Sequence, residues 1–130
     1  MTRINCIPVT ELHDKHLIAE YRELPRVFAL ARKSWERGEK PEEDTPSKYT
    51  MGKGHVRFFY SKLGYLYHRQ VLLIQEMENR GFTPQYKNPF PLVKEMIYIT
   101  KGEWTKNWVP DEEAMSINRE RIQERLRTMK

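Results

Sequence analysis

Six consecutive residues, Tyr21-Arg22-Glu23-Leu24-Pro25-Arg26, set one carboxylate among guanidinium groups. At about 100° per residue, Arg22 and Arg26 fall within roughly 40° of each other on a helix, with Glu23 beside them. Lys15 and Lys33 project onto the same stripe. Cations beside a carboxylate favour its charged form. Glu23 is therefore the best candidate acid or base, able to stabilise a developing oxocarbenium or iminium cation and to move protons. A helical Glu near Arg is equally the make-up of a surface ion pair, and both readings stand at this level. Arg22, Arg26, Arg121 and Arg125 each offer the fork of donors that suits a phosphate, and Arg121 and Arg125, spaced i, i+4, share one helix face. Taken singly, each also suits a solvated surface. A basic face that holds one carboxylate fits chemistry on DNA better than DNA binding alone.

A second reactive group is expected at the N-terminus. Thr2 is small, so the initiator methionine should be removed, leaving Thr2 with the free α-amine. Such an amine titrates near 7.7–8.0 in model compounds, roughly two units or more below lysine. A neighbouring cation such as Arg3 or Arg22 would lower it further. Only the neutral amine is a nucleophile, and its attack on a sugar C1′ can form an imine. The competing reading is an ordinary frayed terminus, and docking near Glu23 decides between the two. His13-x-x-His16 has no third metal ligand at a useful spacing, and Cys6 has no partner cysteine, so neither a metal nor another cofactor is expected. Gly52-Lys53-Gly54 is too short, and lacks the strand–helix context, for a phosphate loop. Phe58-Phe59-Tyr60 and Tyr65-Leu66-Tyr67 could stack on bases or fill a core.

These residues need a scaffold. The 130 residues suffice for one domain with a real core, spanning 1–130. A net charge of +5 and a pI near 9.3 favour a polyanionic partner. One cysteine excludes an internal disulfide, and no signal-like or membrane-spanning run is seen, so a cytoplasmic protein acting off the membrane is expected. Helical periodicity predicts a first helix from about Thr10 to Arg37, burying Leu17, Tyr21, Leu24, Phe28, Ala31 and Trp35, with a kink at Pro25. A second helix is predicted from His55 to Arg80, in which Gly64 is unfavourable unless close packing requires it. The segment 82–109 reads as irregular, with a short strand at Met96–Thr100 as an option. A last helix is predicted from near Pro110 to Arg127, its Asp111, Glu112 and Glu113 suiting the positive end of the dipole. The expected fold is all-α, with three main helices and irregular connections.

The same residues carry a family resemblance. Thr2-Arg3-Ile4-Asn5, the block from His16 to Phe28, and Gly54-His55-Val56-x-Phe58-Phe59-Tyr60-x-Lys62-Leu63 resemble the phage pyrimidine-dimer DNA glycosylases, the ultraviolet-repair type of endonuclease V. Arg80-Gly81-Phe82 and Pro110 fit as well. The likeness covers about 1–83 well and 104–127 more loosely. It implies a compact three-helix fold and metal-free chemistry. The Thr2 amine would attack C1′ of the 5′ nucleotide of a cyclobutane dimer, and β-elimination would then cut the strand at the abasic site. By the same resemblance Glu23 is the essential carboxylate, and Arg22 and Arg26 hold phosphates and the lesion strand. Arg3 and His16 lie near the DNA, and Arg121 contacts it from the last helix. Arg125 stands where the phage enzyme has lysine. The family kinks the duplex and flips out the base opposite the dimer. The implied partner is double-stranded DNA containing pyrimidine dimers or abasic sites, bound by a monomer.

Three departures stand out. Lys15 replaces a neutral amide, the loop Glu39-Lys40-Pro41-Glu42-Glu43-Asp44 is acidic where the phage enzyme is basic, and the aromatic, basic tail is missing. They leave open an abasic-site lyase that lacks dimer recognition. A basic DNA-binding protein without catalysis is the alternative from a different class.

Overall fold

The computed structural model describes residues 3–40, 46, 48–52, 54–99 and 104–128, and of Phe90 the main chain only. Among them the secondary structure is helical: α1 (Asp14–Glu36), α2 (His55–Phe58), α3 (Leu63–Asn79), α4 (Phe90–Ile99) and α5 (Glu112–Thr128), with a short 3-10 turn at Val9–Glu11. The all-α class is as expected, with four long helices in place of three. None of these helices is long and apolar enough to cross a membrane.

The predicted stripe of α1 is the buried one. Leu17, Leu24, Phe28 and Ala31 are fully enclosed, Tyr21 nearly so, and Trp35 is half-buried. The helix starts later than Thr10 because residues 9–11 turn tightly and Leu12 is extended; His13 then caps α1, its Nδ1 accepting from the Lys15 N–H at 3.2 Å. It ends where Gly38 takes a φ of +83°. Pro25 does not interrupt α1. A proline there has no N–H for the Tyr21 carbonyl, and the buried Gln70 of α3 supplies one instead, donating from Nε2 at 3.2 Å.

The predicted second helix is broken into α2 and α3. Phe58, Phe59 and Tyr60 are all buried. Three consecutive residues span about 200° of a helix and cannot all face one core. The chain turns through them instead, and Lys62 leaves helical geometry at φ −126°, ψ 40°. Lys62 forms an isolated antiparallel bridge with Thr105, and a Cβ on Gly64 would lie 2.6 Å from the Thr105 carbonyl oxygen. Close packing thus requires Gly64. The strand suggested at Met96–Thr100 is not found among the described residues: 90–99 are helical, and Thr100 lies outside them. Pro91 sits in the first turn, where its missing N–H matters little, and Leu92, Met96 and Ile99 recur at i, i+4, i+7 toward the core. In α5, Asp111 caps the helix by accepting from the Ala114 N–H at 2.8 Å.

Candidate active site

The site is built on residues 3–7, a segment with no regular secondary structure whose main-chain groups are held by side chains. Ile4 N–H donates to His55 Nε2 at 2.8 Å, and the Tyr49 hydroxyl donates to the Ile4 carbonyl at 3.1 Å. The Tyr65 hydroxyl donates to the Asn5 carbonyl at 3.3 Å. Asn118 Oδ1, on α5, accepts from the Cys6 and Ile7 N–H groups at 2.7 and 3.2 Å. Arg69, on α3, donates to the Ile7 carbonyl at 2.6 Å. Side chains from three regions thus do for this segment what a neighbouring strand does in a sheet.

Beneath it lies an ion pair. Glu20, 1% exposed, accepts from Arg69 Nε at 2.8 Å and Nη2 at 3.1 Å, and from Asn5 Nδ2 at 2.9 Å. Burial opposes the Arg69 charge, but the Glu20 carboxylate outweighs it and holds the guanidinium firmly protonated. Cys6 is enclosed here too, and burial pushes its thiol up to about 12, so it is no nucleophile. Neither Glu20 nor Arg69 was singled out in the sequence. Their signal was there: each is a charged residue, of opposite sign, on the apolar stripe of its helix, beside Leu17 and Leu24 in one case and Leu66 and Leu73 in the other.

Above this foundation several of the expected residues converge. Arg3 is half-buried and its guanidinium is held below its usual range, first by burial, then by Arg125 and Arg121, while Glu23 acts in the opposite sense. His16 is depressed by burial first, then by His13, Arg3 and Arg125. Its Nδ1 is buried and has no hydrogen-bond partner among the described residues. The same holds for Arg121 Nε, although Arg121 Nη1 reaches Glu124 at 3.5 Å. Arg3, His16, Glu23, Arg121 and Arg125 therefore form one electrostatic cluster drawn from the N-terminal segment, α1 and α5. Thr2 lies outside the described residues, as do residues 41–44 of the acidic loop; Glu39 at that loop's start is turned back onto Ser34 and Arg37. Glu23 itself is half-buried and, among the described residues, in no ion pair or hydrogen bond. The surface ion pair anticipated as its alternative role is not formed there.

Arg22 and Arg26 are exposed on α1, next to the cluster in sequence. Arg22 lines a cavity of about 660 Å³ between α1, α3 and residues 83–92, with walls of Ile18, Pro25, Ile74, Met77 and Leu92. Tyr21 also lines it and ties α1 to its far wall: its hydroxyl accepts from the Tyr86 N–H at 2.7 Å and donates to the Tyr86 carbonyl at 3.2 Å. Phe58 and Phe59 are core and not base-stacking platforms, whereas Tyr67 is half-buried. Lys62 supplies a second unusual amine, pushed down to about 8 by burial and Lys106, but its Nζ is engaged by the Phe58 carbonyl at 3.0 Å and the Phe58 ring. No group of three or more His, Cys, Asp and Glu among the described residues is placed to hold a metal ion.

A half-buried carboxylate with no partner among the described residues, facing a cluster of cations, is suited to stabilising positive charge that develops on a bound polyanion. A family model described as pyrimidine dimer DNA glycosylase matches residues 1–88. The chain belongs to that family. Membership makes DNA its substrate and fits the resemblance carried by the N-terminal residues and α1. The match spans the N-terminal segment, α1, α2 and α3 but stops before α4 and α5, so Arg121 and Arg125 join the site from outside the matched region.

Proposed function

We propose that this glycosylase excises cyclobutane pyrimidine dimers through an imine on the Thr2 α-amine and then nicks the abasic site, acting as a monomer on double-stranded DNA. The observation that supports it best is Glu23, half-buried near Arg3 and with no ion-pair or hydrogen-bond partner among the described residues. The neutral Thr2 amine adds to C1′ as the C1′–N1 glycosidic bond breaks, its electron pair leaving with the pyrimidine. The amine loses its protons, the ring C1′–O4′ bond opens with a proton taken up on O4′, and a C1′=N imine remains. Loss of a C2′ proton then expels the 3′ phosphate by β-elimination. Glu23 stabilises the cationic stages and assists these proton transfers. Arg3, Arg22, Arg26, Arg121 and Arg125 hold phosphates, with His16 at the rim of the site. The cavity beside Arg22, with its apolar walls, is of a size and character to receive an unstacked base.

Borohydride trapping on two labelled duplexes, one with a thymine dimer and one with an abasic site, tests this reading. Covalent adducts on both, mapped to Thr2, are expected. An adduct on the abasic duplex alone reduces the activity to a lyase. Mapping to Lys62 overturns the assignment of the amine, and no adduct on either duplex, with Met1 shown to be absent, leaves a DNA-binding protein without catalysis.

A further inference from the structure

The buried imidazole of His55 makes two hydrogen bonds that only one protonation state permits. Nδ1 lies 2.8 Å from the Thr50 carbonyl oxygen, and Nε2 lies 2.8 Å from the Ile4 nitrogen. The carbonyl can only accept and the backbone N–H can only donate. Nδ1 therefore carries the hydrogen and Nε2 is bare. The ring is 2% exposed and enclosed edge-on by Tyr49 and Phe59. Burial, then the charges of Arg3 and Arg121, disfavour a second proton, against the Thr50 carbonyl.

Among the described residues, the Ile4–His55 bond is the main-chain hydrogen bond closest to the N-terminus. A chain reaches at most about 3.6 Å per residue, so whatever fixes the Ile4 nitrogen limits the Thr2 nitrogen to within roughly 7 Å of it. The other anchors act further along the main chain, the nearest being Tyr49 on the Ile4 carbonyl and Tyr65 on the Asn5 carbonyl. Asn118 and Arg69 hold Cys6 and Ile7, and would keep the segment seated if the Ile4 bond were lost.

We propose that His55 is a positioning residue for the glycosylase reaction: its bare Nε2 fixes the Ile4 amide and so holds the chain that carries the Thr2 amine in register for attack on the sugar. This rests on the imine reading above. It concerns where the nucleophile is held and not how DNA is bound, so the rate of imine formation should respond while affinity does not. A displacement of about 1 Å at a reacting group can cost 10²-fold in rate.

Two variants separate positioning from stability, because each keeps one of the two hydrogen bonds. In His55→Gln the longer side chain can set a carbonyl oxygen where Nε2 was, keeping an acceptor for Ile4 and losing the Thr50 bond. In His55→Asn the shorter one reaches Thr50 and leaves the Ile4 N–H without its acceptor, while Tyr49 still holds the Ile4 carbonyl. The measurements are single-turnover borohydride trapping on an abasic duplex at saturating protein, DNA affinity, melting temperature and hydrogen exchange at the Ile4 amide. His55→Gln is expected to trap within about tenfold of the wild type and to keep Ile4 protected. His55→Asn is expected to trap about 10–100-fold more slowly, with Ile4 exchanging fast and DNA affinity unchanged. Equal loss of trapping in both variants, tracking melting temperature, would make His55 merely structural and overturn the proposal, as would wild-type trapping by His55→Asn. A wild type that traps nothing while Ile4 exchange follows the expected order overturns the imine reading and, with it, the catalytic role, leaving His55 as an anchor of the segment only.

Discussion

Glu20 and Glu23 lie three residues apart on α1, and their surroundings could hardly differ more. Glu20 is enclosed and takes hydrogen bonds from Arg69 and Asn5. Glu23 is half-open, faces Arg3, and has no paired partner among the described residues. Nearly 300° of helix rotation separates them, about 60° the short way round. That is enough to send one carboxylate into the α1–α3 interface and leave the other at its edge. A carboxylate whose charge is fully compensated cannot respond to a new cation; one that is not can. The foundation and the reactive edge of this site are therefore built from the same residue type on one helix, and partnership divides their roles.

Removing one carboxylate should thus unfold, and removing the other should only disable. Glu20→Ala leaves Arg69 charged and buried, a loss of about 3–5 kcal/mol, read as a lowered denaturation midpoint with an unchanged slope. Glu23→Ala should alter the same midpoint by no more than about 0.5 kcal/mol. A comparable loss in both would mean that Glu23 has a structural partner after all, and the contrast would fail.

A smaller effect sharpens the comparison through pH. His55 belongs to the enclosed foundation and His16 to the open edge, and both are held below the usual imidazole range, by burial first. A base depressed in the folded chain contributes stability that is complete above the unfolded value, about 6.5, and is lost as pH falls from there through the lower folded value. Melting temperature should therefore drop between pH 7.5 and 5. His55→Gln should shrink that drop more than His16→Gln, since His55 is the more deeply buried. An identical drop in wild type and His55→Gln would show that the imidazole does not couple protonation to folding.

Much of this was legible beforehand, for reasons that can be named. The apolar period of α1 gave its buried face, and the charged stripe opposite gave Arg22, Glu23 and Arg26, because a long amphipathic helix writes its geometry directly into spacing. Gly64 was readable as a close approach, though not against which carbonyl. The break between α2 and α3 was missed because the helical period through Leu63, Leu66 and Leu73 continues in phase past three aromatics that must all be buried. In α4, the prolines around Phe90 masked the spacing of Leu92, Met96 and Ile99. Arg121 and Arg125 could be paired from their own spacing, but only folding brings α5 to Arg3. His55 was the least accessible: its role depends on a bond to Ile4, 51 residues away, that no local pattern encodes.

The division between the two carboxylates rests most heavily on Glu23, and the single-turnover cleavage rate of Glu23→Gln on a thymine-dimer duplex tests it most directly. The amide keeps the size of the side chain and removes its charge. The expected result is a rate about 10²–10⁴-fold below wild type at saturating protein. Cleavage at the wild-type rate would contradict the assignment of Glu23 to the chemistry and leave it a bystander at the edge of a DNA-binding face.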